Sequence, residues 1–229
     1  MLTLGALPPN KQRRISEETL VVYAPIAHRL GISSLKNELE DRSFFYIFPQ
    51  DYHKIEDYFL KHKQTIQLKL NAFMQKVKKS LNQSGVPEGD FHLESRVKRH
   101  YSIYLKMQRK GISIEEVLDL LAIRVIVKND LDCYKVLGIL HLRFKPIMSR
   151  FKDYIALPKE NGYQTIHSTL FDDSAIFEVQ IRTEDMHRSA EYGIAAHWKY
   201  KIGGNSGPSL DWLIKYQFQI NSEEGFMEL

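Results

Sequence analysis

The residues best suited to chemistry lie between positions 150 and 167, on both sides of the dipeptide Asn161-Gly162. Asn-Gly favours the positive φ angles of a short hairpin turn, so the sequence predicts a strand, a tight turn and a second strand. Cations and turn amides suit phosphate oxygens, and an aromatic face suits a nucleobase. The segment therefore predicts a nucleotide pocket without a P-loop. Its candidate residues are Arg150, Lys152, Lys159, Tyr163 and His167.

A second cluster of cations forms a strand-to-helix segment further upstream that contains no acidic residue. Arg96 and Lys98 share one side of the predicted strand, because side chains alternate along a strand. On the helix that follows, Lys106 and Arg109 share a face, with Ser102 one turn earlier. Cations beside a helix N-terminus can hold phosphate. A basic surface strip, which binds either RNA or no ligand, would have the same spacing. A phosphate site and a surface strip therefore both stay open as interpretations.

Two carboxylates stand next to apolar runs that have the length of buried strands. Asp119 precedes the run 120–127, which Arg124 interrupts. Glu178 shares the polar side of another run with Gln180. Two carboxylates among many cations are the groups that Mg²⁺-dependent chemistry on polyphosphates requires.

Each of these polar residues also has an ordinary structural explanation. A cation inside a strand can form a structural ion pair, and a solvent-exposed sheet face shows the same alternation. Asp119 and Arg124 have opposite strand parity, so they share a site only if Asp119 lies just before the regular strand or a bulge intervenes.

Composition points to the cytoplasm. The net charge of +4, from 32 basic and 28 acidic residues, is a mild excess, so anion binding must come from local clustering. The lone Cys133 excludes an internal disulfide and a cysteine-built zinc site, and it suits a reducing compartment. No run reaches the roughly 20 apolar residues of a membrane span. We expect a cytoplasmic protein that does not bind membranes.

Hydrophobic periodicity divides the chain into three parts. Residues 1–83 predict a helical extension, with helices over 16–30 (capped by Ser16 and kinked at Pro25), 33–48 and from 51 onward. Residues 84–201 predict a catalytic domain, and residues 202–229 predict a flexible joint followed by a helical tail over 210–218. We expect an α+β fold in which a mixed five-stranded sheet is flanked by helices. The predicted strands are 91–98, 118–127, 152–157, 164–171 and 175–182, and the predicted helices between and after them are 102–110, 131–144 and 184–201.

Six motifs in order resemble the synthetase domain of the long RelA/SpoT (Rel) enzymes, which make the alarmone (p)ppGpp of the bacterial stringent response. They lie at residues 96–107, 119–124, 151–156, 161–167, 178–183 and 195–201. The upstream segment 23–31 is similar to the helices that connect the hydrolase and synthetase halves of the family. The resemblance implies a nucleotidyltransferase-like sheet. It also implies transfer of pyrophosphate from ATP to the 3′-OH of GDP or GTP, with release of AMP.

The resemblance also implies roles for individual residues around ATP and the metal. Arg96 and Arg124 would sandwich the adenine, and Asp119 and Glu178 would bind Mg²⁺. Glu178 would also activate the 3′-hydroxyl. The residues implied to hold the ATP phosphates are Lys98, Lys106 and Arg109, with Ser102 assisting.

A separate set of residues is implied for GDP or GTP. Tyr163 would stack on guanine, and Asn161 and Gln180 would support the pocket around it. The residues implied to contact the guanosine phosphates are Lys152, Lys159 and His167.

The quartet at 150–153 is similar to the basic version found in bifunctional members of the family. The sequence contains no His-Asp dipeptide, the mark of the hydrolase half. We therefore expect a fragment of a bifunctional SpoT/Rel-type parent that lacks the hydrolase and C-terminal regulatory domains. Any ribosome or regulatory partner would bind through those missing regions. GDP-versus-GTP preference and oligomeric state stay open. The competing hypotheses are a catalytically silent nucleotide-sensing or RNA-binding module and a nucleotidyltransferase that moves a nucleoside monophosphate.

Overall fold

The computed structural model describes residues 1–117, 120–173 and 175–193. The helices are α1 (Pro9–Glu18), α2 (Ala24–Arg29), α3 (Ser33–Ile47), α4 (Pro49–Gln83), α5 (His100–Lys110), α6 (Asp130–Arg143) and α7 (Glu184–Tyr192). The strands are β1 (Phe91–Val97), β2 (Leu121–Val127), β3 (Lys145–Pro146), β4 (Lys152–Asp153), β5 (Ile166–Asp172) and β6 (Ala175–Thr183). Helices precede a mixed region of strands and helices, which confirms the predicted α+β class.

The helical extension begins earlier than its sequence suggests. Helix α1 starts at Pro9, where proline's missing N–H is harmless in the first turn. Ser16 is therefore a buried residue inside a helix, and its prediction as an N-cap is wrong. The predicted interruption at Pro25 takes the form of a π-helical segment, Thr19–Tyr23, in which the amide of Ala24 donates to the carbonyl of Thr19. Pro25 is the second residue of α2, where its missing amide hydrogen is harmless because the first turn of a helix leaves its amides unpaired.

The long helix α4 packs its apolar stripe against the sheet. Phe73, Val77 and Leu81 are buried, as the spacing of three and four residues predicts. Phe73 stacks on Phe177 of β6, with ring centroids 4.0 Å apart and planes 7° from parallel. The core thus joins the helical extension to the sheet. The proposed division between residues 83 and 84 stays a prediction.

The sheet runs in the order β1-β2-β6-β5-β3, with β4 also paired to β5. Strands β2 and β6 are parallel and the other pairs are antiparallel, so the sheet is mixed, as predicted. All five predicted strands are present. The number five is wrong because the two-residue strand β3 adds a sixth, and so short a strand has no periodicity to detect.

The predicted hairpin differs from the one observed. Strand β4 ends at Asp153, whose Oδ1 accepts hydrogen bonds from the amides of Ile155 and Ala156, both at 2.9 Å. This local turn shortens the predicted strand over 152–157 to its first two residues. Gly162 does adopt a positive φ of 77°, and its amide donates to Lys159, but the turn lies within a longer loop over 154–165.

Other boundaries shift by a few residues. Strand β2 starts at Leu121 instead of 118, and α5 starts at His100 instead of 102. The predicted helix over 184–201 is described as far as Tyr192, and its remainder, the joint and the predicted tail lie outside the described residues. None of the helices in the described ranges combines the length and apolar character needed to cross a bilayer.

Candidate active site

One face of the sheet carries a row of polar side chains. Residues directly opposite each other in paired strands point to the same side. Arg124 of β2 lies opposite Gln180 of β6, and Gln180 lies opposite His167 of β5. His167 in turn lies opposite Lys152 of β4. Four residues from separate stretches of sequence are thereby brought into one line.

A second line runs beside the first on the same face. Ala122 of β2 lies opposite both Arg96 of β1 and Glu178 of β6. Arg96 and Glu178 are therefore separated on this face by a residue whose side chain is only a methyl group. Thr169 of β5 continues the line beyond Glu178.

A cavity of about 320 Å³ lies over this face. The sheet and the start of α5 contribute Arg96, Lys98, Ser102, Arg124, Glu178 and Gln180 to its wall. The loop before β5 and the strand itself contribute Lys159, Asn161, Tyr163 and His167. The structure therefore brings together most of the predicted ATP and guanosine residues in a single cavity.

Glu178 is held by its neighbours inside this cavity. Its Oε1 accepts a hydrogen bond from Gln180 Nε2 at 2.7 Å and lies 3.6 Å from His167 Nδ1. Burial, opposed by the charge of Glu178 and reinforced by Lys159 and Lys152, lowers the pKa of His167 to about 4. The ring is therefore neutral at neutral pH, so His167 is not a cationic partner of Glu178.

Tyr163 offers a fixed aromatic surface. Its hydroxyl lies 3.0 Å from His167 Nε2, and burial raises the pKa of the phenol, so it stays protonated. Lys159 Nζ lies 5.1 Å from the centre of the Tyr163 ring and 4.7 Å from that of Tyr154. A lysine over two aromatic rings places positive charge next to a stacking surface, which suits a nucleotide with its phosphates.

Two arginines form the opposite side of the cavity. Burial and the proximity of Arg124 lower the pKa of Arg96. Arg124 is restrained through three of its nitrogens, which lie 3.3–3.4 Å from oxygens of Gln180, Glu94 and Glu191. Guanidinium planes held in this way can stack on a base.

Some predicted residues lie away from the cavity wall. Lys106 and Arg109 lie further along α5, and Arg109 is exposed. Lys152 is exposed at the edge of the sheet, although its register with His167 keeps it on the polar face. Asp119 lies outside the described residues, so its pairing with Glu178 stays a prediction.

A carboxylate of the protein itself occupies part of the predicted phosphate site at the start of α5. Asp41 of α3 accepts a hydrogen bond from the amide of Tyr101 at 3.0 Å, and its other oxygen lies 3.8 Å from Arg99. A carboxylate from the helical extension thus caps this helix. Lys98 and Ser102 still face the cavity.

Several cavity residues were missed by sequence reasoning. Helices α2 and α3 supply His28, Ser33, Lys36 and Asn37, and α7 supplies Ala190 and Glu191. These positions belong to the cavity only through tertiary packing, so they leave no local pattern. Arg182 was visible as the third polar residue of β6, and the structure places it in the cavity wall, almost completely buried.

The donor chemistry fits magnesium in part. Mg²⁺ prefers carboxylate and phosphate oxygens and keeps several waters, so one or two protein carboxylates are enough. Glu178 supplies one of them at the cavity wall. No cluster of three His, Cys, Asp or Glu side chains suited to a metal occurs within the described ranges. A site shared with substrate phosphates is therefore the arrangement these residues can provide.

The geometry defines a class of protein: an α+β domain whose polar sheet face carries a cavity rich in cations. Residues 95–205 match the family model described as "Region found in RelA / SpoT proteins". The chain belongs to the RelA/SpoT family, which confirms the resemblance seen in its motifs.

Curated relatives match nearly all of the chain. A guanosine-3′,5′-bis(diphosphate) 3′-pyrophosphohydrolase of Aquifex aeolicus is 44% identical over 89% of this chain and 29% of that protein. The bifunctional (p)ppGpp synthase/hydrolase SpoT of Escherichia coli is 42% identical over 90% of this chain and 29% of that protein. Small alarmone synthetase 2 from Bacillus subtilis, a solved structure, has a TM-score of 0.48 and 26% identity, covering 74% of this chain and 97% of that one. The chain spans less than a third of the length of these two curated relatives.

Proposed function

We propose that this chain is a GTP diphosphokinase that transfers pyrophosphate from ATP to the 3′-OH of GDP or GTP, giving ppGpp or pppGpp and AMP. The observation that supports this most is the arrangement of the cavity. Two stacking surfaces, the Arg96–Arg124 pair and Tyr163, stand on either side of one carboxylate, Glu178. Such a cavity suits two nucleotides whose reacting groups meet near that carboxylate.

Glu178 would act as the general base. The hydroxyl must attack the β-phosphorus of ATP in line with the departing AMP, so the main tasks are positioning and charge neutralisation. Gln180 fixes one oxygen of Glu178, and the neutral His167 beside it does not form an ion pair with the carboxylate that would accept the proton. Lys98 and Ser102 would bind ATP phosphates, and Lys159 and Asn161 would bind the guanosine nucleotide.

Mg²⁺ would be held by Glu178, with Asp119 as the predicted second ligand. When bound, the ion would neutralise phosphate charge in the transition state. Lys106, Arg109 and Lys152 would approach the outer phosphates, and this role needs side-chain movement from their observed positions.

The names of the relatives cover two opposite activities. Some are hydrolases of (p)ppGpp, and a chloroplast relative from Arabidopsis thaliana, 39% identical over 98% of this chain, is named a probable GTP diphosphokinase. We favour synthesis because the residues gathered around Glu178 are those that the family resemblance implies for pyrophosphate transfer. We propose a cytoplasmic location, in keeping with the free, buried thiol of Cys133.

The decisive experiment is incubation of the chain with Mg²⁺, ATP and labelled GDP or GTP, followed by separation of the products. The proposal requires AMP together with a guanosine nucleotide that carries a new 3′-diphosphate. Release of pyrophosphate would indicate a nucleotidyltransferase instead. Absence of AMP, together with salt-sensitive RNA binding, would favour the catalytically silent module.

A further inference from the structure

Glu191 is the second acidic residue, besides Glu178, among the described residues of a cavity wall rich in cations. An unpaired carboxylate there would repel a polyphosphate ligand. Glu191 is instead paired twice: its Oε1 lies 3.3 Å from Arg124 Nη2 and 3.4 Å from Arg182 Nη2. The carboxylate therefore bridges two guanidinium groups.

Arg182, the second of these two arginines, holds Glu191 in place from the interior of the protein. The side chain of Arg182 is 2% exposed, and its Nη2 also lies 2.6 Å from Nδ1 of His187, one helical turn before Glu191 on α7. Its Nε is buried without a hydrogen-bond partner, and the buried guanidinium contacts both His187 and Glu191 through Nη2. Arg182 cannot easily move away, and Glu191 is held with it.

The backbone at Glu191 is fixed from two directions. Helix α7 starts directly after β6, where the side chain of Thr183 accepts a hydrogen bond from the amide of Met186 at 3.2 Å. At its other end, Ser34 Oγ of helix α3 donates to the carbonyl of Glu191 at 2.8 Å. The sheet and the helical extension together determine where the carboxylate lies.

Glu191 in turn completes the restraint on Arg124. Gln180 contacts Nε, Glu94 contacts Nη1 and Glu191 contacts Nη2, so each nitrogen along the edge of the guanidinium has one partner. Edge contacts fix the plane of the group and leave its faces free for stacking. Without Glu191, the positive charges of Arg96 and Arg182 would push Arg124 out of this orientation.

We propose that Glu191 is a positioning residue that orients the Arg124 guanidinium for stacking on the adenine of the pyrophosphate donor. This inference rests on the proposed function, in which Arg96 and Arg124 enclose that base. It predicts that Glu191 affects the binding of ATP and leaves the binding of GDP unchanged.

The test is calorimetric titration of the chain with α,β-methylene ATP and, separately, with GDP. Glu191→Gln removes the charge with little change in shape, and we expect it to weaken the ATP analogue about 10-fold and GDP by less than about twofold. Glu191→Asp keeps the charge on a shorter side chain, so its affinity for the ATP analogue should lie between those of wild type and Glu191→Gln. Asp185→Asn, which removes an exposed acid from the start of the same helix, is the control and should match wild type.

A double-mutant cycle with Arg124→Ala separates positioning from direct contact. If Glu191 acts through Arg124, Glu191→Gln should cause no further loss of analogue affinity in the Arg124→Ala background. Full additivity would overturn the proposal, as would equal weakening of both nucleotides or unchanged affinity for the analogue. Circular dichroism checks folding, and if Glu191→Gln unfolds, Glu191→Asp replaces it in the cycle.

The binding readout separates this inference from the proposed function. Wild-type chain that binds the analogue and GDP but releases no AMP would refute the proposed function and leave the Glu191 test valid. Wild-type chain that does not bind the analogue would overturn the Glu191 proposal directly.

Discussion

The polar sheet face and the helical extension contribute to the same cavity in different ways. On the sheet, Arg124, Glu178 and Gln180 reach the cavity because strand alternation and register align them. In the extension, Lys36 and Asn37 reach it because α3 packs beside α7 and α5. The first arrangement is visible in the sequence, whereas the second depends on the completed fold.

Within the described residues, three hydrogen bonds join the helical extension to elements that surround the cavity. Asp41 accepts from the amide of Tyr101, and Ser34 donates to the carbonyl of Glu191. Asn161 Nδ2 donates to the carbonyl of His28 at 3.2 Å. The extension therefore positions the start of α5, the end of α7 and the loop before β5.

The backbone after α7 also approaches the backbone of the helical extension closely. Gly193 has a φ of 61°, and a Cβ atom placed there would lie 2.3 Å from the carbonyl oxygen of Leu30. A side chain at this position would force the two backbones apart. A site encoded by the sheet therefore still depends on helices outside the motif region.

The largest effect should come from the sheet face, at Glu178. Glu178→Gln removes the proposed base and keeps the shape, so we expect AMP release to fall about 10²- to 10⁴-fold, with nucleotide affinity largely retained. Single-turnover assays with calorimetric binding measure both quantities. Glu184→Gln, an exposed acid just beyond β6, is the control. Near-normal AMP release by Glu178→Gln would remove Glu178 from the catalytic role.

The next effect concerns the loop that the extension supports. Tyr163→Ala removes the proposed stacking surface, and we expect affinity for GDP to fall by roughly 1–3 kcal/mol with that for the ATP analogue retained. Tyr163→Phe keeps the ring and loses the contact with His167, so it should bind GDP nearly as well as wild type. Equal losses in the two variants would show that the hydroxyl, and not the ring, accounts for binding.

Sequence reasoning found what depends on local pattern. The α+β class, the strands of the polar face and the cavity residues on them follow from alternation and from turn residues. It missed the strand β3, which has two residues, and it extended β4 because Asp153 forms a turn with its own side chain. It could not find Lys36 or Glu191, since helical spacing does not reveal which distant element a face will meet.

The extension should affect stability more than chemistry. Asp41→Ala removes the carboxylate that caps α5, and we expect the free energy of unfolding to fall by about 1 kcal/mol. Urea denaturation measures this change. Asp57→Asn, at an exposed position of α4, should alter stability by less than about 0.5 kcal/mol. If Asp41→Ala leaves the free energy of unfolding unchanged, α5 keeps its position without help from the extension.

The smallest effect is a pH dependence at the interface between α4 and α5. His100 stacks on Tyr52 at a centroid distance of 5.0 Å and contacts Phe59, with its Nε2 buried and unpartnered. Burial lowers the pKa of His100, although Glu56 opposes the shift, while Arg99 adds to it. The folded state therefore favours the neutral ring more strongly than the unfolded state does.

The sign of the effect follows from proton binding. As the pH falls below 6.5, the ordinary pKa of histidine, the unfolded chain takes up a proton at His100 before the folded chain does, so the free energy of unfolding decreases. His100→Phe should reduce this loss without abolishing it, because burial also lowers the pKa of His167, His141 and His187. Urea denaturation at several pH values between 5 and 8 tests this. If the free energy of unfolding depends on pH identically in His100→Phe and wild type, His100 is more accessible to water than its packing indicates. That result would contradict the exclusion of water from the interface between α4 and α5.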